Sequence, residues 1–210
     1  MIGDKQIEGI DISHWNWSKL IKERFSFATY AISNFIIMKA TQGLRYKDDK
    51  MIRFMQEIDT PITRNYDKHI GFYHFADAKT ADSWKAEANN FISSIQSYIG
   101  YYPVLALDVE ADALNKKYID EWSAAFISYV EEKTGIKPML YCSQSACKKF
   151  KKTCETGAGL WVAKYGKEPT KAQIKPWTFY AIWQYTSKPY DLDKFNSKSL
   201  DAWYKYGGHK

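Results

Sequence analysis

A chain of 210 residues, 45% hydrophobic and 26% charged, is long enough for one sizeable core and too short for two comfortable domains. The formal net charge of +6 favours polyanionic partners, yet no basic block exceeds Lys148-Lys149 plus Lys151-Lys152, which argues against a nucleic-acid groove. No apolar stretch is long enough to span a membrane, and three cysteines cannot make a full disulfide framework.

The 4 histidines are scattered without metal-ligand spacing, so neither a metal nor a cofactor is expected. Aromatic residues reach 17%, with 8 Trp and 16 Tyr. Such a stock suits either a surface that stacks on sugar rings or a core with its polar tips satisfied. The N-terminus Met1-Ile2-Gly3-Asp4-Lys5-Gln6 lacks the apolar region of a signal peptide.

Ile7-Glu8-Gly9-Ile10-Asp11-Ile12-Ser13 reads as a first strand with Asp11 near its exit, followed by aromatics in His14-Trp15-Asn16-Trp17. Phe35-Ile36-Ile37-Met38-Lys39-Ala40-Thr41 is a second buried strand, closed by Gln42-Gly43. A buried ammonium needs a partner, so Lys39 is expected to face a carboxylate at the same end of the sheet; snorkelling from a strand edge is the plainer alternative. Asp48 to Asp59 and Ile62 to Lys68 read as helical, and Ile70 to Ala76 as a third strand. A helix starting at Thr80 or Asp82 carries Trp84, Ala88, Phe91, Ile92 and Ile95 on one face and stops near Gly100.

Tyr101-Tyr102-Pro103-Val104-Leu105-Ala106-Leu107-Asp108-Val109-Glu110 then runs from a proline through apolar residues into two acids. A short apolar run of this kind is a strand buried on both faces, as in a parallel sheet. Alternation puts Asp108 and Glu110 on one side and Val109 on the other. That places two acids at the C-terminal mouth of a sheet, where α/β folds hold their sites. Close like charges raise the proton affinity of at least one, and a protonated acid beside an ionised one is the machinery for splitting a glycosidic bond. A solvated strand end or a pair of helix caps would show the same two letters.

A helix from about Lys117 to Lys133 turns Trp122, Phe126, Tyr129 and Val130 inward and stops at Gly135. Pro138 to Ser143 is a fifth strand, in which Cys142 is expected to be a buried thiol. Cys147 and Cys154 are free to pair around a loop, although nothing in their spacing demands it. Leu160 to Tyr165 and Phe179 to Tyr185 read as strands with no long helix between them, and Asp191 to Phe195 as a short last strand. The tail Leu200-Asp201-Ala202-Trp203-Tyr204 is expected on the outside. No linker or repeat divides the chain. Strands alternating with helices imply a parallel α/β arrangement. About eight mostly parallel strands with an incomplete helical ring make an irregular (β/α) barrel of TIM type, a single domain over 1–210 with a core at about 7–196 and residues 197–210 packed on the barrel.

Seven motifs fall in one order: Gly9-Ile10-Asp11-Ile12-Ser13, Met38-Lys39-Ala40-Thr41-Gln42-Gly43, Gly71-Phe72-Tyr73-His74-Phe75-Ala76, Leu107-Asp108-Val109-Glu110, Leu160-Trp161-Val162-Ala163, Ile182-Trp183-Gln184-Tyr185 and Asp191-Leu192-Asp193. The series resembles glycoside hydrolase family 25, the Chalaropsis-type lysozymes of bacteria, fungi and phage lysins, over roughly residues 7 to 196. That likeness implies an irregular barrel and an N-acetylmuramidase cutting the β-1,4 bond between N-acetylmuramic acid and N-acetylglucosamine in peptidoglycan. Carried over motif by motif, it makes Glu110 the general acid and leaves Asp108 ionised beside it. Asp11 and Asp191 become supporting carboxylates; Tyr73, Gln184, Lys39 and Trp183 line or serve the substrate site. Two departures stand out: Gln42 where many relatives have Glu, and Asp193 where many have Asn.

The implied partner is the peptidoglycan glycan strand, with anionic wall polymers as a second attraction for the positive charge, and no nucleic acid or membrane insertion; the chain is expected to be a monomer. Without a leader it suits a phage endolysin, or a secreted enzyme whose leader is absent here. Two rivals remain at this stage. A chitinase-type barrel would carry another Asp two residues before Asp108, where this chain has Ala106. A wall-binding module that holds sugar without cutting it has no need of clustered acids.

Overall fold

The structure is a computed structural model and describes residues 7–22, 35–58, 69–197, 199 and 201–209. Its strands are β1 (Ile7–Ile12), β2 (Phe35–Gln42), β3 (Tyr46–Lys47), β4 (His69–Phe75), β5 (Val104–Asp108), β6 (Met139–Ser143), β7 (Leu160–Ala163), β8 (Ile182–Thr186) and β9 (Asp191–Phe195). They form one 9-stranded sheet in the order β1-β9-β8-β7-β6-β5-β4-β2-β3, and β1 also pairs with β2, so all but β3 close into a barrel. The barrel is parallel except at β9, which runs antiparallel to both β8 and β1.

Two-sided burial explains why the strands read as unbroken apolar runs: every residue of β2 from Phe35 to Thr41 is buried. Phe35, Ile37, Val104, Ala106, Met139 and Trp161 fill the barrel. Ile36, Met38, Phe72, Leu105, Leu107, Leu140 and Val162 face outward under the helices. Gly9 is the one place on β1 where the interior demands a missing side chain, because a Cβ there would stand 2.4 Å from the ring of Phe35.

The helices are α1 (His14–Lys22), α2 (Met51–Ile58), α3 (Trp84–Ile95), α4 (Ile119–Thr134), α5 (Lys151–Glu155) and α6 (Asp201–Tyr206). Gly135, at φ 74°, ends α4 with its N–H bonded to Glu131 O. Asp120 in the first turn of α4 accepts the Lys152 and Thr153 N–H groups, both at 2.8 Å, and so caps α5 from outside it. Only turns join β7 to β8, which leaves the helical ring open on that side. No helix among the described residues is long and apolar enough to cross a membrane. The helix expected at Ile62 to Lys68 lies outside the described residues.

Strand parity changes at the exit of β2. A bulge between Lys39 and Thr41 pairs Lys39 with Tyr73 but Thr41 with His74. Thr41 is thereby turned outward, where its hydroxyl meets His74 Nδ1 at 2.7 Å, and Gln42 is turned to the mouth beside Lys39. His74 Nε2 lies 3.0 Å from Glu87 Oε2, and Glu87 also accepts the backbone N–H groups of Asp77 and Ala78. Burial favours a neutral imidazole at His74. This closed network pins the exit of β4 to α3.

The C-terminal helix packs against one end of the barrel. Trp203 is 1% exposed and sits against Phe35, Phe195 and His69, with ring centroids 4.8, 5.5 and 6.0 Å away. Phe35 and His69 start their strands and Phe195 ends the antiparallel one, so α6 closes the barrel end opposite the mouth.

Candidate active site

Asp11 is near the exit of β1, Asp108 is the last residue of β5, and Asp191 is the first of the antiparallel β9. Each therefore stands at the C-terminal end of the parallel strands. Together with Glu110 they line one cleft of about 290 Å³, shared with Ser13, Trp15, Lys39, Tyr73, Phe75, Tyr141, Trp161, Tyr165 and Gln184. Past the end of β5 the alternation continues, since Val109 is fully buried in the outer core while Asp108 and Glu110 face the cleft. Backbone bonds hold this exit: Ala76 N–H donates to Asp108 O at 2.9 Å and Val109 N–H to Tyr141 O at 3.0 Å. Glu110 is extended (φ −145°, ψ −170°), and Ala111 at φ 48° turns the chain away. The left-handed alanine is a strained conformation directly after a cleft carboxylate.

The charges in this cleft are badly matched. Burial pushes the Asp108 carboxyl well above the usual carboxylate range, and Glu110 adds to the push while Lys39 opposes it. Glu110 is raised as well, first by burial and then by Asp191, again against Lys39. Both acids therefore hold a proton more firmly than an exposed carboxyl does. Desolvation is the first cause, because Asp108 is buried and Glu110 is half-buried. No hydrogen-bond donor among the described residues reaches Asp108 Oδ1.

Lys39 is the counter-charge, but it makes no ion pair within 4 Å among the described residues. Its ammonium donates to Gln42 Oε1 at 2.8 Å and lies 4.6 Å from the ring centre of Phe75. Burial lowers its proton affinity, and Asp108 is the first of the acids that offset this. Gln42 passes the contact on by donating to Asp77 Oδ1 at 3.1 Å. Beyond it a second depression of about 440 Å³, lined by Gln42, Leu44, Arg45, Tyr46, Asp77 and Lys79, continues away from the cleft.

Gln184 is oriented by its neighbours. Tyr141 O–H donates to Gln184 Oε1 at 3.0 Å, which leaves Gln184 Nε2 to donate to Asp11 Oδ2 at 2.7 Å. Tyr73 and Tyr141 are both raised by burial and by the nearby acids, so each stays a neutral O–H donor. Trp15 and Tyr165 stand at the rim, 80% and 59% exposed. These exposed rings are suited to stacking on a sugar face.

Of the residues expected at the site, Trp183 is not there. It neighbours Gln184 on β8, so period two turns it to the outer core, where Nε1–H donates to Lys164 O at 2.7 Å. Tyr141, Trp161 and Tyr165 take part instead, unforeseen from sequence. For Tyr141 and Trp161 the signal was available: each alternates with outward-facing residues on its strand. Cys142 is the buried free thiol expected, its Sγ 3.8 Å from Cys147 Sγ, and Cys147 and Cys154 are also free.

Comparison with known proteins decides the family. The profile of Glycosyl hydrolases family 25 matches residues 10–193. The chain belongs to family 25. Its matched span begins one residue before Asp11 and ends on Asp193, and so takes in every cleft carboxyl; the fold is that of a family 25 glycoside hydrolase. Among the relatives, "Lysozyme M1" of Streptomyces globisporus is 28% identical over 92% of this chain and 69% of its own. The CTP1L endolysin structure aligns with TM-score 0.72 at 28% identity, covering 94% of this chain and 69% of that one. A family GH25 lysozyme from Aspergillus fumigatus aligns with TM-score 0.71 at 22% identity over 97% and 99% of the two chains, a likeness of fold.

Proposed function

We propose that this family 25 chain is an N-acetylmuramidase, cleaving the β-1,4 bond between N-acetylmuramic acid and N-acetylglucosamine in peptidoglycan. The observation that carries the reading is the convergence of Asp11, Asp108, Glu110 and Asp191 on one aromatic-rimmed cleft inside the family-matched span. The named relatives, a lysozyme and an endolysin, point to the same substrate. Ala106, two residues before Asp108, is buried inside the barrel, so the third in-line acid of a chitinase-type strand is missing.

The chemistry follows from two close carboxyls dividing their protons. A 2-acetamido group brings an N–H donor to the Asp108 carboxylate in the cleft, and accepting it stabilises the charged form of Asp108. The remaining proton then rests on Glu110, which faces outward and passes it to the leaving glycosidic oxygen. The acetamido oxygen attacks the anomeric carbon as that bond breaks, giving an oxazolinium-like intermediate. Water opens the ring, with Glu110 taking its proton. This is the acetamido-assisted exception to the usual pair of carboxylates. Lys39 tempers the charge of both acids, and Tyr73, Trp161 and Gln184 shape the subsite. The place of action is the bacterial cell wall, where the +6 charge favours anionic wall polymers, and the working unit is a monomer.

The test is release of reducing sugar from purified peptidoglycan and from chitin. The reading expects release from peptidoglycan and little from chitin. Release from chitin alone would mark a chitinase-type enzyme, and binding of peptidoglycan without release would mark a binding barrel.

A further inference from the structure

Beneath the cleft lies a fifth acid that solvent does not reach. The antiparallel β9 enters at the mouth with Asp191 and, two residues on, places Asp193 one layer down with 0% exposure. Across the ladders its neighbours are Gly9 on β1 and Gln184 on β8. Gly9 has no side chain to offer. Asp193 Oδ1 accepts Trp161 Nε1–H at 2.8 Å. No N–H or O–H group of the described residues reaches Asp193 Oδ2, although that oxygen is out of water.

Asp193 stands beside the Asp11 carboxyl, because Gln184, its partner across the β8–β9 ladder, donates to Asp11 Oδ2, and the two acids act on one another. Asp11 has one oxygen committed, since its Oδ2 takes the Gln184 amide at 2.7 Å and that amide is locked by Tyr141. Two ionised carboxylates in this position would set acceptor against acceptor in a dry site. A proton held between them converts the same contact into a charge-assisted O–H···O bond.

We infer that Asp11 and Asp193 hold a shared proton, and that Asp193 acts as a positioning residue that keeps Asp11 from ionising freely at the floor of the cleft. The inference rests on the reading of Asp11 as part of a glycosidase mouth. Burial is the first cause raising both groups, with Asp193 pushed up to about 7 and Asp11 held well above the ordinary range. The other groups that face the pair are Asp191 on β9, Gln184 on β8, Trp161 on β7 and Tyr73 on β4, with Asp108 and Tyr141 beyond. Asp191 raises both acids, and Lys39 bears on Asp108 and Glu110 instead. A cluster that looks like five negative charges in the sequence therefore carries fewer near neutral pH.

The experiment is a ¹³C NMR titration of the full chain labelled at aspartate carboxyl carbons, alongside Asp193→Asn. In the wild type one carboxyl should titrate near neutrality and its partner should stay protonated beyond it. Asp193→Asn supplies an amide donor to Asp11, so the near-neutral step should vanish and the Asp11 step should fall toward the ordinary carboxylate range. Asp11→Asn should abolish the near-neutral step too, which keeps the test valid if Asp193→Asn folds poorly. The kcat/KM–pH profile on peptidoglycan should lose an ionisation near neutrality in Asp193→Asn. Titration curves unaltered by either substitution would overturn the inference. So would an Asp193→Asn that only lowers kcat/KM evenly at every pH, since that marks packing alone. The titration is read without substrate, so it stands or falls separately from muramidase activity.

Discussion

Glu110→Gln should move activity and stability in opposite directions. The substitution keeps the shape of the side chain and removes the proton donor. General acid catalysis by a placed side chain contributes about 10²–10⁴-fold, so the variant should lose kcat by that order, or ~3–5 kcal/mol of transition-state stabilisation. Folding should not suffer, because the Glu110 carboxyl is raised by burial and by Asp191, with no hydrogen bond among the causes. The sign follows from linkage: a carboxyl raised in the folded state penalises the fold once it ionises. That penalty is absent in acid below the unfolded value, grows as pH rises toward the folded value, and stays constant above it. Glu110→Gln should therefore match or exceed the wild-type Tm at about pH 7, and the two should converge at about pH 4, below the reference Glu value. The assay is reducing-sugar release from purified peptidoglycan, with thermal melts of both proteins at the two pH values. Near-normal turnover would refute Glu110 as the acid. A large drop in Tm with the activity would show that it holds the fold rather than the proton.

Trp203→Ala should cost about 3–5 kcal/mol in urea unfolding, since it empties the plug beneath Phe35 and Phe195. Gly9→Ala should destabilise by about 1–3 kcal/mol, because its Cβ would sit 2.4 Å from the Phe35 ring in a packed interior; unchanged denaturation would contradict that packing. Trp15→Ala should raise KM on soluble glycan fragments with little change in kcat or Tm, as an 80% exposed ring at the rim contributes to binding and not to the core. Lysis of whole cells should weaken from low to physiological salt, reflecting the +6 charge, while cleavage of small soluble fragments should not.

Much of the barrel was legible because strands buried on both faces write themselves as apolar runs, and acids at their ends interrupt those runs where the core stops. Asp11, Asp108 and Glu110 were readable for that reason, whereas Asp191 opens its strand and entered only through the family resemblance. Parity alone would have removed Trp183, which cannot share a face with Gln184, and would have added Tyr141. The bulge after Lys39 was not legible, since no glycine or proline marks it, yet it sets Gln42 against Lys39. Nor was the end-plug: a short helix around Trp203 looks the same whether it lies along a barrel or under it.

The central claim is met most directly by mass spectrometry of the fragments released from purified peptidoglycan, after reduction of the new chain ends. A muramidase leaves N-acetylmuramic acid at every new reducing end, and Glu110→Gln should leave almost none. New ends carrying N-acetylglucosamine, or equal release by the variant, would contradict the account.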